Sequence, residues 1–393
     1  RVMDDVVVTT SVANAAEQIL SRSFAIYRVN AVTANKIRDA HRVAIKFFHE
    51  ASTTTATTTT ISETATSIAT ETPTAPDNKE LFIDRYQRIV NGNLHGYNVL
   101  PSKELFRTWY KDDDGDKDDD GEEKEQQWPS EDLRKNTLLL AKDLHRLLTE
   151  CIRHIIVLKK NQQQRHLCDS TTTSNTSQEE EEEEEAKSIP FPPRKRCRTS
   201  SSSLSSSSSS SSSNNDKNND ETNPPWSCRG NPHGCPLDYF FYHNLNLNSI
   251  NCSEHIDRGV LVVVCLTDVP GLEVLSSSSV SSSSPASSLS LSKTKRFLCP
   301  ELLVHNANLY KERTDNDACS DLVCIMTGNQ LSQLLMSTRE TTLIGSNTAT
   351  TTTNKKASKI ISEADFYPPA CVHRVRNHLK RARLSISYEL RLD

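Results

Sequence analysis

Two imidazoles and one carboxylate converging on a point can hold a divalent transition metal such as iron and still leave coordination positions open for exchange. The C-terminal part of this chain offers such a set, His255-Ile-Asp257 followed by His373. Two residues apart on an extended strand, His255 and Asp257 would emerge on the same face and converge on one ion. A single H-x-D triplet means little by itself, because a chain with 12 histidines holds about one by chance. Order and context give it weight. His373 sits in the strand-like run Ala370-Cys-Val-His-Arg-Val375, and Arg383-Leu-Ser385 follows. A guanidinium presents a planar fork to a carboxylate, and a serine two residues along a strand points the same way and adds a hydroxyl donor. The pair forms a seat for the distal end of a dicarboxylic acid. His305 competes for the second imidazole position, but it lies in Leu303-Val-His-Asn-Ala307 and no Arg-x-Ser follows it, so His373 is preferred.

The elements that must position these groups follow from the apolar pattern. From Leu237 onward, short runs rich in Val, Ile, Tyr and Phe predict strands at 237–244, 260–267, 271–275, 297–305, 321–327, 370–376 and 382–391. Val260–Leu266 is the longest apolar run, far too short to span a bilayer, and reads as a buried strand. In Thr267-Asp-Val-Pro-Gly-Leu272, proline before glycine is the order a type II turn needs. Before this region the pattern is mainly helical. Phe24–Val29 reads as a strand, whereas Ala34–Ala51 places Ile37, Ala40, Ala44 and Phe47 at helical spacing, with Phe48 widening the face. Lys79–Val90 reads as a helix closed by Asn91-Gly92-Asn93. A long helix runs from Ser130 as N-cap to about Lys159, with Leu133, Leu140, Leu144, Leu147, Cys151 and Ile155 on one stripe. Helices first and many short strands later predict an α+β protein whose core is an antiparallel jelly roll, the double-stranded β-helix.

Low-complexity tracts interrupt this pattern. Thr-rich 51–76, acid-rich 111–127, the Gln/Glu/Ser/Asn tract 161–224, Ser-rich 276–292 and Thr-rich 340–362 remove about 147 of 393 residues, leaving about 246 of ordinary composition. They lack the apolar residues needed to offset the entropy of ordering and read as disordered, solvated insertions. The expected organisation is an N-terminal helical and mixed region at 1–160, a linker at 161–224 and a jelly-roll domain at 225–393. The net charge of −5 owes much to two acidic runs, Asp112–Asp120 and Glu179–Glu185, and the chain as a whole is not a polyanion binder. No basic, aromatic-interleaved surface points to nucleic acid.

Eleven cysteines without paired spacing do not form a disulfide framework. Cys228 and Cys235 flank His233, but no second pair completes a zinc site. Reduced thiols place the chain in the cytoplasm, and Arg194-Lys-Arg-Cys-Arg198 offers an import signal to the nucleus. The chain starts at Arg1, so the lack of a signal peptide carries no weight. Asp116–Gly121 imitates the start of a calcium loop, but Gln127 replaces the bidentate glutamate at its twelfth position. No phosphate-cradling glycine loop is present.

At the residues that could do chemistry the chain resembles the 2-oxoglutarate/Fe(II)-dependent dioxygenases, in the branch that includes isopenicillin N synthase and the plant hormone and flavonoid oxygenases. The resemblance runs through His255–Val274, Leu322–Leu331 and Cys371–Leu390, with fainter likeness at Phe24–Phe48, His95–Asn98 and Ser102–Arg107. It implies that His255, Asp257 and His373 bind Fe(II), and that Arg383 and Ser385 grip the distal carboxylate of 2-oxoglutarate. Tyr242 corresponds to a tyrosine of that family able to bond the co-substrate. The implied activity is hydroxylation or desaturation of a small organic molecule with O2, releasing succinate and CO2. His255 and His373 are 118 positions apart, about twice the family's spacing, and the Ser-rich and Thr-rich tracts account for about 40 of these. Loop insertions cost little closure entropy. Two alternatives stay open: an oxidase of the isopenicillin N synthase kind that needs no keto acid, and a non-catalytic jelly-roll scaffold whose arms recruit partners.

Overall fold

The computed structural model describes residues 7–53, 78–90, 92–111, 127–172, 234–276, 296–306, 319–336 and 368–392. Most of the low-complexity tracts, the calcium-loop imitation Asp116–Gly121, the run Glu179–Glu185, the basic cluster Arg194–Arg198, and Cys228 with His233 lie outside the described residues. The chain forms two compact units, Arg1–Lys159 with Pro225–Asp393, and Lys160–Pro224.

The first unit opens with β1 (Val8–Thr9), α1 (Val12–Arg22), β2 (Phe24–Arg28) and α2 (Ala31–Thr53), followed by α3 (Asn78–Tyr86) and three strands, β3 (Arg88–Val90), β4 (Asn93–Leu100) and β5 (Lys103–Tyr110). The long α4 (Glu131–Thr172) separates these from β6 (Cys235–Tyr242), β7 (Ile250–His255), β8 (Leu261–Thr267), β9 (Leu272–Leu275), β10 (Phe297–Leu298), α5 (Pro300–Asn306), β11 (Cys319–Thr327), β12 (His373–Arg376) and β13 (Arg383–Leu390). Among the described residues, nine strands make a large sheet in the order β1-β2-β11-β8-β13-β6-β5-β4-β3, antiparallel except for β1 against β2. Four make a smaller sheet, β10-β9-β12-β7. The large sheet unites N- and C-terminal parts of the sequence, because β2 pairs with β11 and β5 with β6.

The valine-rich β8 is buried at all seven residues, as expected of a central strand covered on both sides. One face packs against the helices: Ile37 and Ala44 of α2 and Leu140, Leu144 and Cys151 of α4 share a core with Tyr239, Val263, Ile386 and Tyr388. The other face meets the smaller sheet, where Val262 and Val264 pack with Leu272 and Val274. The result is an α+β layering of helices, large sheet and small sheet. Among the described residues no helix is long and apolar enough to cross a membrane, and Cys151, Cys235, Cys252, Cys265, Cys299, Cys324 and Cys371 are free thiols.

Several local expectations need correction. The helix expected at 79–90 stops at Tyr86, and Arg88–Val90 instead pair with β4 across a turn in which Gly92 has φ 78°. The strand expected at 297–305 ends at Leu298, and a helix begins at Pro300. Proline at the first helical position with Glu301 in the first turn is a helix start, so the local signal was present. Pro270-Gly271 forms no type II turn, since Gly271 is not among the positive-φ glycines. Its lack of a side chain serves packing: a Cβ there would stand 2.9 Å from Cδ and 3.1 Å from Nε of Arg383. Helix α4 starts as expected, with the Ser130 hydroxyl accepting from Leu133 N at 3.1 Å, but runs on to Thr172. Strands β4, β5 and β7 and helix α1 were not anticipated.

Candidate metal centre and adjoining cavity

Pairing of β12 with β7 sets His373 directly opposite His255, with ring centroids 4.2 Å apart. Asp257 reaches them differently from the expectation of two positions on one strand face. Strand β7 ends at His255, and 256–260 turns away to begin β8. That turn is clamped by the loop after β11. Asn329 N donates to the Asp257 carbonyl at 2.9 Å, Gln330 N to the Gly259 carbonyl at 3.0 Å and Gly328 N to the Val260 carbonyl at 3.0 Å. So held, Asp257 brings Oδ1 to 3.6 Å from His255 Nε2 and Oδ2 to 3.3 Å from His373 Nε2. One ligand atom from each residue falls within 4.8 Å of the others.

The chemistry of the donors fits a divalent metal. His255 Nδ1 lies 2.8 Å from the Ser253 carbonyl and His373 Nδ1 3.2 Å from the Cys371 carbonyl. A carbonyl only accepts, so each Nδ1 carries a proton and each Nε2 is the nitrogen turned toward Asp257, the one left to ligate when the ring is neutral. Burial holds the His373 imidazole below its ordinary pKa, a neutral state suited to ligation; Asp257 opposes the shift. His255 is raised to about 9, chiefly by its hydrogen bond with Cys252, whose sulfur is 3.7 Å from Nδ1, while partial burial works against this. His305, the rejected alternative, lies on the short helix α5.

A cavity of about 470 Å³ adjoins the three residues, and its wall includes Tyr242, Arg383 and Ser385. The register explains why they share it. Arg383 pairs with Tyr242, which pairs on its other side with Lys103, and Ser385 pairs with Phe240, so these side chains stand on the inner face of the large sheet. The Arg383 guanidinium lies 5.7 Å from the Tyr242 ring and the Lys103 ammonium 5.5 Å from it. Burial raises the Tyr242 phenol, which stays protonated. Arg383 is 1% exposed. Its Nε donates to the Val269 carbonyl at 3.1 Å and its Nη2 to Glu301 Oε1 at 3.0 Å, while Nη1 is buried without a partner among the described residues. Beyond Ser385 the cavity wall carries Arg107, paired through two 2.6 Å bonds with Asp238, and Glu389, 2.6 Å from Arg391.

The structure thus brings His255, Asp257 and His373 into one cluster and sets Arg383, Ser385 and Tyr242 together on the facing sheet. Sequence reasoning missed Glu301, Lys103, Arg107, Asp238 and Glu389. One signal could have found the last of these. In β13, Arg383, Ser385, Ser387 and Glu389 alternate with the buried Leu384, Ile386, Tyr388 and Leu390, so a strand covered by apolar packing on one face turns a wholly polar face inward.

No family model matches the chain, and no curated protein matches it. Solved structures resemble it at low identity. A Neurospora crassa protein in complex with α-ketoglutarate and 5-formyluracil is 13% identical with a TM-score of 0.46, covering 97% of this chain and 78% of that one. The 2-oxoglutarate complex of the auxin-oxidising dioxygenase of Arabidopsis thaliana is 11% identical, TM-score 0.44, covering 97% and 88%. The rice dioxygenase for auxin oxidation is 10% identical, TM-score 0.42, covering 96% and 76%. Likenesses of this order do not assign a function.

Proposed function

We propose that the protein is a non-haem Fe(II)- and 2-oxoglutarate-dependent oxygenase acting on a small organic molecule, with the two sheets as a double-stranded β-helix. The observation that carries this reading is the meeting of His255, Asp257 and His373 beside a cavity whose opposite wall holds a buried arginine. In this role His255, Asp257 and His373 hold the metal by Nε2, a carboxylate oxygen and Nε2. With O2, the bound metal supplies oxidative decarboxylation of the keto acid to succinate and CO2, with the second oxygen atom used on a substrate C–H bond.

The chain's own residues orient and exclude. Arg383 and Ser385 receive the distal carboxylate, and Tyr242, protonated by its burial, offers a hydroxyl beside them. Val262, Val264 and Leu272 line the cavity and keep water from the reacting groups. The carbonyls of Ser253 and Cys371 hold the imidazoles in the ligating tautomer.

The test is an anaerobic titration with Fe(II) and then 2-oxoglutarate, following the visible charge-transfer band of a metal-chelated keto acid, in wild type and His373→Ala. A band in wild type alone supports the reading. Iron binding without a band favours an oxidase that needs no keto acid, and one observation speaks for that second reading: Glu301 already occupies Arg383. Absence of iron binding would leave a scaffold.

A further inference from the structure

Arg383 is the anchor on which the keto-acid reading depends, and one edge of it is already taken. Its Nη2 donates to Glu301 Oε1 at 3.0 Å, its Nε to the Val269 carbonyl at 3.1 Å, and Nη1 has no partner among the described residues. Neither member of the pair reaches solvent, with side-chain exposures of 1% for Arg383 and 0% for Glu301. The other glutamate oxygen, Oε2, accepts from the Cys299 thiol at 3.4 Å. Glu301 therefore pairs with the guanidinium without itself lining the cavity, and sets a buried negative charge beside the arginine that a ligand carboxylate would meet.

Two consequences follow for an incoming acid. A carboxylate at Arg383 would find one N–H of Nη2 already spent on Glu301, so the guanidinium offers it fewer donors than an unpaired arginine would. The guanidinium charge is also largely cancelled, and two carboxylates around one guanidinium repel each other strongly where water is scarce. A keto acid without a distal carboxylate meets neither penalty, because it needs only the metal.

Resting on the co-substrate reading above, we infer that Glu301 is a specificity-determining residue. It competes with the distal carboxylate of a dicarboxylic keto acid for Arg383, and so narrows the preference for 2-oxoglutarate over a 2-oxo monoacid.

The test titrates the anaerobic, Fe(II)-loaded full chain with 2-oxoglutarate and, separately, with 2-oxobutyrate, reading the charge-transfer band in wild type and Glu301→Gln. Glutamine keeps an acceptor for Nη2 and removes the charge. Since a charge-assisted contact is worth roughly ten- to a hundredfold in affinity, wild type should prefer 2-oxoglutarate by less than about tenfold. In Glu301→Gln, 2-oxoglutarate should tighten by about fivefold or more while 2-oxobutyrate stays within about twofold. Unchanged or weaker 2-oxoglutarate binding in the variant overturns the inference, as does a change shared equally by both acids. A larger preference in wild type overturns it without any variant, which keeps the test decisive should Glu301→Gln fail to fold. A band with neither acid, in either protein, would instead sink the keto-acid reading itself and the inference with it.

Discussion

Removing one partner of a buried ion pair leaves the other charged and unsolvated, which costs about 3–5 kcal/mol. Arg383→Ala would strand Glu301 in this way, so its loss of co-substrate binding would be mixed with loss of stability. Arg383→Gln combined with Glu301→Gln leaves no buried charge and separates the two effects. This double variant should bind Fe(II) as wild type does and bind 2-oxoglutarate more weakly by less than about tenfold, because Glu301 already offsets part of the charge-assisted contact in wild type. Equal loss of iron and keto acid in the anaerobic titration would remove Arg383 from its assigned place. Gly271 tests the same side chain from behind. A methyl group 2.9 Å from Cδ and 3.1 Å from Nε of an arginine fixed at both Nε and Nη2 has to displace it. Gly271→Ala should therefore weaken 2-oxoglutarate by about threefold with iron affinity retained, and a titration showing no change would mean that the arginine yields without cost.

Helix α2 lies against the large sheet on the side away from the cavity, and His41 on it is 6% exposed. Burial lowers its pKa from 6.5 to about 4; Asp268 and a hydrogen bond with the Leu384 backbone oppose the shift, and the Arg383 charge adds to it. Because the folded value lies below the unfolded one, this contribution is complete above pH 6.5 and is lost as pH falls toward 4. Wild type should lose about 3 kcal/mol more than His41→Gln between pH 7 and pH 4, measured by urea unfolding at each pH. Equal losses would show that His41 protonates without penalty. Elements of this kind were legible wherever burial is one-sided and regular: α2, α4 with its Ser130 cap, and the apolar β8 all followed from periodicity. Strand β7 was not, because Asn251, Cys252, Ser253 and Glu254 form a half-exposed edge with no alternating apolar face, and its strand geometry comes from pairing with β12. Helix α5 was overridden by its apolar content, although Pro300 and Glu301 signalled a helix start, and that error hid the partner of Arg383.

The α+β class was readable from the order of helices and strands, and the cluster of His255, Asp257 and His373 from residue type, but neither predicts the closure that joins them. His373 meets His255 because β12 sits between β9 and β7, a pairing across 118 positions that no local pattern encodes. Asp257 belongs instead to the turn entering β8 of the large sheet. A metal held by all three would tie the exposed edge of the small sheet to the centre of the large one. A ligand that binds only the folded chain stabilises it by about 2.7 kcal/mol at one hundred times its dissociation constant. Anaerobic Fe(II) at that excess should accordingly raise the thermal midpoint of wild type and leave that of His373→Ala unmoved. The gain should also be uneven across the molecule. Amide exchange over Ile250–His255 should slow when metal is added, because this edge strand opens by local fluctuation, whereas that of Leu261–Thr267, buried in the central strand, should change little. Stabilisation without protection of β7 would place the metal somewhere other than between His255, Asp257 and His373.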